Sequence, residues 1–338
     1  MKPINILFLG TPDFAVPSLE ALHNEPKINI QAVISQPDKP KDRGQNLSNP
    51  PVAKRASELN IPLFQPPSLR KISWKKNNKL ETEQKENYYT DLVSFLAKSP
   101  IPDFVVVVAY GKLLPKDLLE YPKIDALNVH PSLLPRWRGA APLQHTLLSG
   151  DKTTGVCIIG LEEELDAGPI YKRTELHIDE ETDLKKLHDT LSNTGATLLK
   201  DTIIEITENN LKPVPQDLSG VTYARKWEKE DSIINWNESS INILNRIRAS
   251  SPKPGARTYI DDKEFKILKA RILSPITDTL DSEKLAPGTF IKSENGIAQI
   301  ICGDNRAIEP LEVQLSGKKV LSFKDFLRGY SINSGYIF

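Results

Sequence analysis

Cysteine is scarce in this chain, and long apolar runs are missing. Cys157 and Cys302 are the only two cysteines among 338 residues, and they form neither a disulfide framework nor a metal-binding pattern. The longest apolar run, Phe104–Tyr110, has the length of a strand and not the roughly 20 residues of a membrane helix. The first residues lack the apolar stretch and cleavage site of a signal peptide. We therefore expect reduced cysteines, a cytoplasmic location and no membrane partner.

An excess of charge of one sign is also missing. The chain has 44 Lys plus Arg and 44 Asp plus Glu, which excludes a strongly basic protein that coats nucleic acid. A local basic surface is compatible with this balance, since residues 221–338 carry 18 basic against 15 acidic residues. The sign of that small excess suits a C-terminal region that contacts an anionic partner.

The glycine pattern of dinucleotide-binding proteins is absent. Gly10-Thr11-Pro12-Asp13 follows the first apolar run, but the second and third glycines of G-x-G-x-x-G are missing. The chain also has no G-x-S-x-G elbow, no Walker loop and no metal-ligand spacing such as H-E-x-x-H. Neither NAD nor a metal is therefore expected.

Apolar runs that alternate with helical patterns dominate the first two hundred residues. Helices are predicted at 14–22 and 53–59, and strands at 4–9, 28–35, 63–64, 104–109, 126–129 and 155–159. This alternation indicates an α/β domain with a mostly parallel sheet, in which ligands bind at the carboxyl ends of the strands.

The remaining segments differ in character. Residues 71–91 are rich in Lys, acids and Asn, and are predicted to form a solvated surface insertion. Prolines at 213 and 215 indicate a linker over 208–220. Beyond it, short runs separated by turns predict a small β-barrel or sandwich, with strands at 256–260, 265–273, 289–291, 297–301 and 307–313.

Asn128 and His130 follow one another at the end of a predicted strand. Side chains two positions apart on a strand point to the same side, so an amide donor and an imidazole would lie together. Such a pair can bind an oxyanion. The alternative is a strand end with a hydrogen-bonded structural histidine, because buried polar groups are normally satisfied.

Asp166 lies in the loop after the predicted strand 155–159. If that strand neighbours 126–129, the carboxylate can reach His130, raise its proton affinity and fix its orientation. The alternative is a turn, because Ala-Gly-Pro follows the aspartate.

Motifs along nearly the whole chain resemble those of the methionyl-tRNA formyltransferase family. The Asn128–Pro142 segment with Leu165-Asp166-Ala167-Gly168 is similar to the core shared by enzymes that use 10-formyltetrahydrofolate. The tRNA-directed branch is indicated by 8–14, by Gln36-Pro37-Asp38 with Arg43-Gly44, and by 221–224.

The resemblance implies three parts: a Rossmann-like catalytic domain at 1–207, the linker at 208–220, and an OB-like tRNA-binding domain at 221–338. It implies formyl transfer from 10-formyltetrahydrofolate to the methionine amine of initiator methionyl-tRNA, by a monomer. The implied roles fall on catalytic Asn128, His130 and Asp166; on folate-site Ser132, Leu133, Leu134, Pro135, Tyr110 and Gly111; and on tRNA-binding Arg43, Lys39 and Lys41.

Three other functions are compatible with the same core residues. A formyltransferase acting on a sugar-nucleotide amine, or a hydrolase of formylfolate, would share Asn128, His130 and Asp166 but would not need the 36–44 loop or the C-terminal barrel. A non-catalytic RNA-binding protein could keep the fold, although the intact triad argues against loss of catalysis.

Overall fold

A computed structural model describes residues 2–41, 46–75, 79–273, 285–292, 297–333 and 336. Its helices are α1 Val16–His23, α2 Pro51–Glu58, α3 Asn87–Lys98, α4 Lys116–Leu119, α5 Pro142–Ser149, α6 Leu184–Asn209, α7 Ser240–Ser250 and α8 Phe323–Gly329. Short 3₁₀ turns cover Asp13–Ala15, Leu69–Lys71, Leu218–Gly220 and Glu230–Ser232.

The strands are β1 Ile4–Gly10, β2 Ile28–Ile34, β3 Lys39–Lys41, β4 Asn46–Ser48, β5 Leu63–Phe64, β6 Ser73–Lys75, β7 Lys79–Glu81, β8 Phe104–Val108, β9 Asp125–His130, β10 Arg138–Gly139, β11 Thr153–Gly160, β12 Ile170–His177, β13 Tyr223–Ala224, β14 Ala256–Ile260, β15 Lys263–Ile272, β16 Phe290–Lys292, β17 Ala298–Ile301, β18 Ala307–Leu315 and β19 Leu321–Ser322.

The chain folds into two compact units, and neither is one continuous stretch. The first combines residues 1–139, 155–176 and 188–223, and the second combines 140–154, 177–187 and 224–338. The domain limits predicted from the sequence, 1–207, 208–220 and 221–338, stay a prediction.

A seven-stranded sheet organises the first unit, in the order β12-β11-β9-β8-β1-β2-β5. β1 pairs in parallel with β2 and β8, and β8 pairs in parallel with β9, whereas β11 runs antiparallel to β9. The prediction of a mostly parallel sheet is confirmed. Chain order reverses beside β1, and such a switch point is where α/β folds bind ligands.

The central strand β8 shows why this sheet forms. It reads Phe-Val-Val-Val-Val, and all five residues are buried. β-branched residues fit a pleated surface, and apolar side chains on both faces suit a strand covered on both sides. Burial of these side chains stabilises the sheet by roughly 1.5–3 kcal/mol each.

Residues 71–91 are not simply a solvated insertion. Trp74 lies in β6, opposite Leu80 of β7; it is 1% exposed and packs in the core with Leu80 and Tyr121. Its indole N–H donates to Leu69 O at 3.1 Å, and its main-chain N–H donates to Asp117 at 2.8 Å. The polar residues around one tryptophan concealed this anchor in the sequence pattern.

The second unit contains an antiparallel sheet in the order β14-β15-β18-β17-β16, with β19 paired to β18. Its core includes Phe265, Phe290, Phe323 and Phe326. The prediction of a smaller C-terminal domain built on a separate β-sheet is confirmed. Three helices that the sequence analysis did not predict, α5, α7 and α8, belong to this unit as well.

The segment predicted as a linker is built into the first unit. Val214 and Ile170 exchange main-chain hydrogen bonds of 2.8 Å, and Gln216 is buried. Within the described ranges, no helix is both long and apolar enough to cross a membrane.

Candidate active site

Asn128 and His130 lie on one face of β9, as their spacing predicts. The neighbouring strands place Val107 opposite Asn128 and Cys157 opposite His130. β9 and β11 are therefore neighbours, which is the condition under which Asp166 was expected to reach His130. Asn128 is half-buried, and its side chain makes no hydrogen bond to other described residues.

His130 and Asp166 are brought together. His130 Nδ1 lies 3.5 Å from Asp166 Oδ2, and both side chains are buried. The other ring nitrogen, Nε2, lies 3.0 Å from the main-chain oxygen of Trp137. Both nitrogens of the imidazole thus face protein oxygens, so the ring is held in a defined orientation.

The Asp166 carboxylate is favoured in its ionised form. Burial raises the pKa of Asp166, but this effect is outweighed by the His130 contact, by the Gly139 N–H at 2.8 Å from Oδ2, and by the positive charge of Arg138. The pKa of Asp166 is therefore held below its ordinary value. A buried carboxylate that stays ionised can accept a proton.

Unusual backbone conformations cluster around these side chains. Asp166 has φ +52°, Trp137 has φ +65°, and Ala109, directly after β8, has φ +46°. Non-glycine residues adopt this left-handed region at a cost of order 1–3 kcal/mol each, and such residues are concentrated at functional sites.

The loop that carries Asp166 passes very close to β11. A Cβ atom on Gly168 would lie 1.8 Å from the carbonyl oxygen of Gly160, so only glycine fits there. Gly160 N–H also donates to Pro169 O at 2.9 Å. The loop is therefore pinned immediately after the aspartate.

The residues predicted for the folate site form the loop after β9. Ser132 is buried and donates to Arg136 O at 2.6 Å, and Leu134 is buried against Cys157 and Ile159. Leu133 and Pro135 are half-buried. The two buried residues hold the loop, whereas the half-buried two leave surface available to a ligand.

Tyr110 and Gly111 follow β8 at the carboxyl end of the sheet. The Tyr110 ring lies in the core, and burial raises the pKa of its hydroxyl to about 12. Its main-chain oxygen accepts from Gln36 Nε2 at 2.6 Å and from Thr11 Oγ1 at 3.0 Å. Gly111 is exposed with φ +79°. Only the main chain of Tyr110 thus faces this edge.

The structure describes only two of the three residues predicted to bind tRNA. Lys39 and Lys41 lie in β3, which pairs with β4. Arg43 lies outside the described residues.

Two buried polar residues that the sequence analysis missed surround the Asp166 loop. The Arg138 side chain is 2% exposed and donates to Gln216 Oε1 from Nε at 3.2 Å and from Nη2 at 2.9 Å. Gln216 Nε2 donates to the main-chain oxygens of Asp166 and Gly168, each at 2.8 Å. Arg138 stood in a motif quoted above, but nothing in the sequence pairs it with Gln216.

Comparison with known proteins accounts for both units. Residues 4–203 match the family described as formyl transferase, and residues 226–331 match the formyl transferase C-terminal domain. The methionyl-tRNA formyltransferase of Thermodesulfovibrio yellowstonii is 39% identical over 98% of this chain and 97% of its own. The enzyme of Clostridium novyi is 38% identical over 97% and 98%.

The chain belongs to the methionyl-tRNA formyltransferase family.

Solved formyltransferase structures share the fold. The Clostridium thermocellum methionyl-tRNA formyltransferase superposes with a TM-score of 0.50 at 16% identity, covering 79% of this chain and 93% of its own. An N-formyltransferase from Helicobacter canadensis, in complex with folinic acid and dTDP-3-aminofucose, gives 0.60 at 19% identity, covering 91% and 98%. At these identities the likeness concerns the formyltransferase fold alone.

Proposed function

We propose that this chain transfers the formyl group of 10-formyltetrahydrofolate to the methionine amine of initiator methionyl-tRNA, and that Asn128, His130 and Asp166 carry the reaction. The family assignment gives the reaction, and its relatives' names give the acceptor. The observation that carries the site is the 3.5 Å contact between His130 and the buried Asp166, on the strand where the Asn128 amide makes no hydrogen bond to another described residue.

Asn128 is the donor to the oxygen that becomes negative. As the neutral amine forms its bond to the formyl carbon, the electrons of the C=O bond move to oxygen. The Asn128 amide N–H stabilises that oxygen. The Nε2–H group of His130 is the second donor. It faces the Trp137 carbonyl in this structure, and during the reaction it donates to the oxyanion instead.

Asp166 moves the proton. The amine loses one proton when it is formylated, and the folate nitrogen gains one when its bond to carbon breaks. The ionised Asp166 accepts the first and returns it to the second, directly or through water, while it orients His130. No covalent bond to the protein is required.

The partners follow from the same assignment. The folate donor binds at the carboxyl edge, against Leu133, Pro135 and the main chain of 110–111. The tRNA contacts Lys39, Lys41 and Arg43, together with 221–338 as an OB-like domain. The enzyme acts as a cytoplasmic monomer.

One assay tests this proposal. The enzyme is given 10-formyltetrahydrofolate with charged initiator tRNA, free methionine or a sugar-nucleotide amine, and Asp166→Asn is run beside it. We expect formyl transfer to the charged tRNA alone, and loss of transfer in the variant. Transfer to the sugar nucleotide, or full activity of Asp166→Asn, contradicts the acceptor or the mechanism, respectively.

A further inference from the structure

Gln216 is held in one orientation by its neighbours. Arg138 offers only donors, so Oε1 must face it; the oxygens of Asp166 and Gly168 only accept, so Nε2 must face them. Gln216 uses its whole amide in these contacts and is only 9% exposed.

The two carbonyls that accept hydrogen bonds from Gln216 belong to Asp166 and Gly168, in the loop that carries the proposed catalytic carboxylate. Asp166 adopts φ +52°, a conformation that persists only where surrounding contacts enforce it. Gln216 supplies two such contacts, at 2.8 Å each, and the close approach of Gly168 to Gly160 supplies a third.

The main chain at Arg138 links the Gln216 contacts to the Asp166 carboxylate. Its main-chain N–H donates to Thr222 O at 2.9 Å, and the next residue, Gly139, donates its N–H to Asp166 Oδ2 at 2.8 Å. The guanidinium is buried, and its carboxylate partner Glu164, 3.2 Å from Nη1, is 69% exposed. The charge of Arg138 is shared with this exposed carboxylate, and it still contributes to lowering the pKa of Asp166.

We propose that Arg138 and Gln216 are positioning residues for formyl transfer: Gln216 fixes the backbone of Asp166, and Arg138 fixes Gln216. This inference rests on the proposed function, because it assigns Asp166 the proton transfer. It places a determinant of catalysis in the segment that the sequence predicts as a linker.

Gln216→Glu is the decisive variant. Its carboxylate keeps the shape and the oxygen that faces Arg138, so the buried arginine stays paired. The donor to the two loop carbonyls is replaced by an oxygen that repels them. The new negative charge also offsets Arg138, so the pKa of Asp166 rises.

We expect Gln216→Glu to lower kcat by about 100-fold, since a displacement near 1 Å has that effect. The KM values for folate and tRNA should change less than about twofold, because substrate binding is untouched. The acid limb of the kcat profile should move to higher pH, because Asp166 then protonates at a higher pH. Arg138→Lys keeps the positive charge. It should lower kcat, and it should shift the acid limb to higher pH by less than Gln216→Glu does.

Asn193→Asp is the matched control. Asn193 lies on α6 in the same unit, is exposed, and also donates from Nδ2 to a main-chain oxygen, that of Asp189, at 2.8 Å. This variant should keep wild-type kcat and pH profile.

Two results overturn the inference. One is a wild-type kcat and acid limb in Gln216→Glu; the other is a fall in kcat that equals the loss of folded protein measured by circular dichroism, with the acid limb unmoved. If Asp166→Asn is inactive in the same assay, the proposed function stands and only the positioning role fails. If Asp166→Asn is fully active, the proposed mechanism fails, and the inference that rests on it fails too.

Discussion

Asn128 is the residue whose removal most directly tests oxyanion stabilisation. Its amide is half-buried at the end of β9 and makes no hydrogen bond with other described residues, so truncation costs little structure. We expect Asn128→Ala to lower kcat by about 10²–10³, the usual effect of losing one such donor, with KM nearly unchanged. Steady-state kinetics measure both.

A matched control for Asn128 is Asn193→Ala, which removes an exposed amide in the same unit and should leave kcat at the wild-type value. An Asn128→Ala enzyme that keeps wild-type kcat but loses affinity for the folate donor would assign the amide to ground-state binding.

The lowered pKa of Asp166 predicts that the stability of the fold depends on pH. Its pKa is lower in the folded protein than the ordinary carboxyl value of 3.8. The ionised group therefore stabilises the fold above that ordinary value, and the contribution is lost as pH falls through the folded-state pKa. Asp166→Asn should lower the free energy of unfolding at pH 7, and the difference from wild type should shrink as pH falls below 3.8. Urea denaturation at several pH values measures this, and a difference that stays constant with pH contradicts it.

At the scale of the element, the β6–β7 segment is predicted to carry core stability through Trp74. The indole is 1% exposed and packs edge-on against Tyr121, at a centroid distance of 5.5 Å. We expect Trp74→Ala to lower the free energy of unfolding by about 3–5 kcal/mol, because it leaves a cavity. Chemical denaturation gives the value.

Lys85→Ala, an exposed change in the same polar stretch, serves as the comparison and should shift stability by less than about 0.5 kcal/mol. Equal effects of the two substitutions would show that residues 71–91 form a solvated insertion that Trp74 does not anchor in the core.

The loop 161–169 is an element that tolerates no side chain at Gly168. Because the obstructing atoms belong to the Gly160 backbone, Gly168→Ala must displace the loop and with it Asp166. We expect kcat to fall by about 100-fold or more. Gly329→Ala is the control, since an added Cβ there would meet no described atom within 4 Å apart from its chain neighbours and its own helix backbone. Activity close to wild type in Gly168→Ala would mean that Asp166 does not depend on the loop backbone.

The elements that were predictable are those whose own side chains specify them. β8 is apolar on both faces, and β14 was predicted with its observed limits, 256–260, because turn signals bound it. Asn128 and His130 were placed together by strand periodicity alone. Trp74 and Gln216 were missed because each acts through partners distant in sequence, and a single aromatic in a charged run or a glutamine after a proline carries no periodic signal.

At the scale of the molecule, the second unit depends on residues far upstream of 221. The Arg248 guanidinium, on α7, is buried and donates to the main-chain oxygens of Thr182 and Asp179, each at 2.8 Å. A fragment 221–338 lacks these acceptors and also lacks α5. We expect it to unfold at a lower urea concentration than this unit does in the full chain, because the Arg248 guanidinium keeps only its bond to Asn245 Oδ1 and a buried charge that loses its other partners is destabilising.

Arg248→Met in that fragment should recover part of the loss, since it removes the charge that lost the two main-chain acceptors. Tryptophan fluorescence and far-ultraviolet circular dichroism follow the transition. A fragment with the full-chain midpoint would show that 221–338 is autonomous.

The position of Gln216 bears on how such enzymes can be recombined. The formyl transferase match ends at residue 203, so a gene fusion joined there would carry over Asn128, His130 and Asp166 with the motifs that hold them. It would leave behind the amide that holds the backbone of Asp166. If Gln216 positions Asp166 as proposed, the stretch that matches the catalytic domain is shorter than the stretch that a working enzyme must inherit. A crossover after Thr222 retains Gln216 and also the contacts of Thr222 with Trp137 and Arg138.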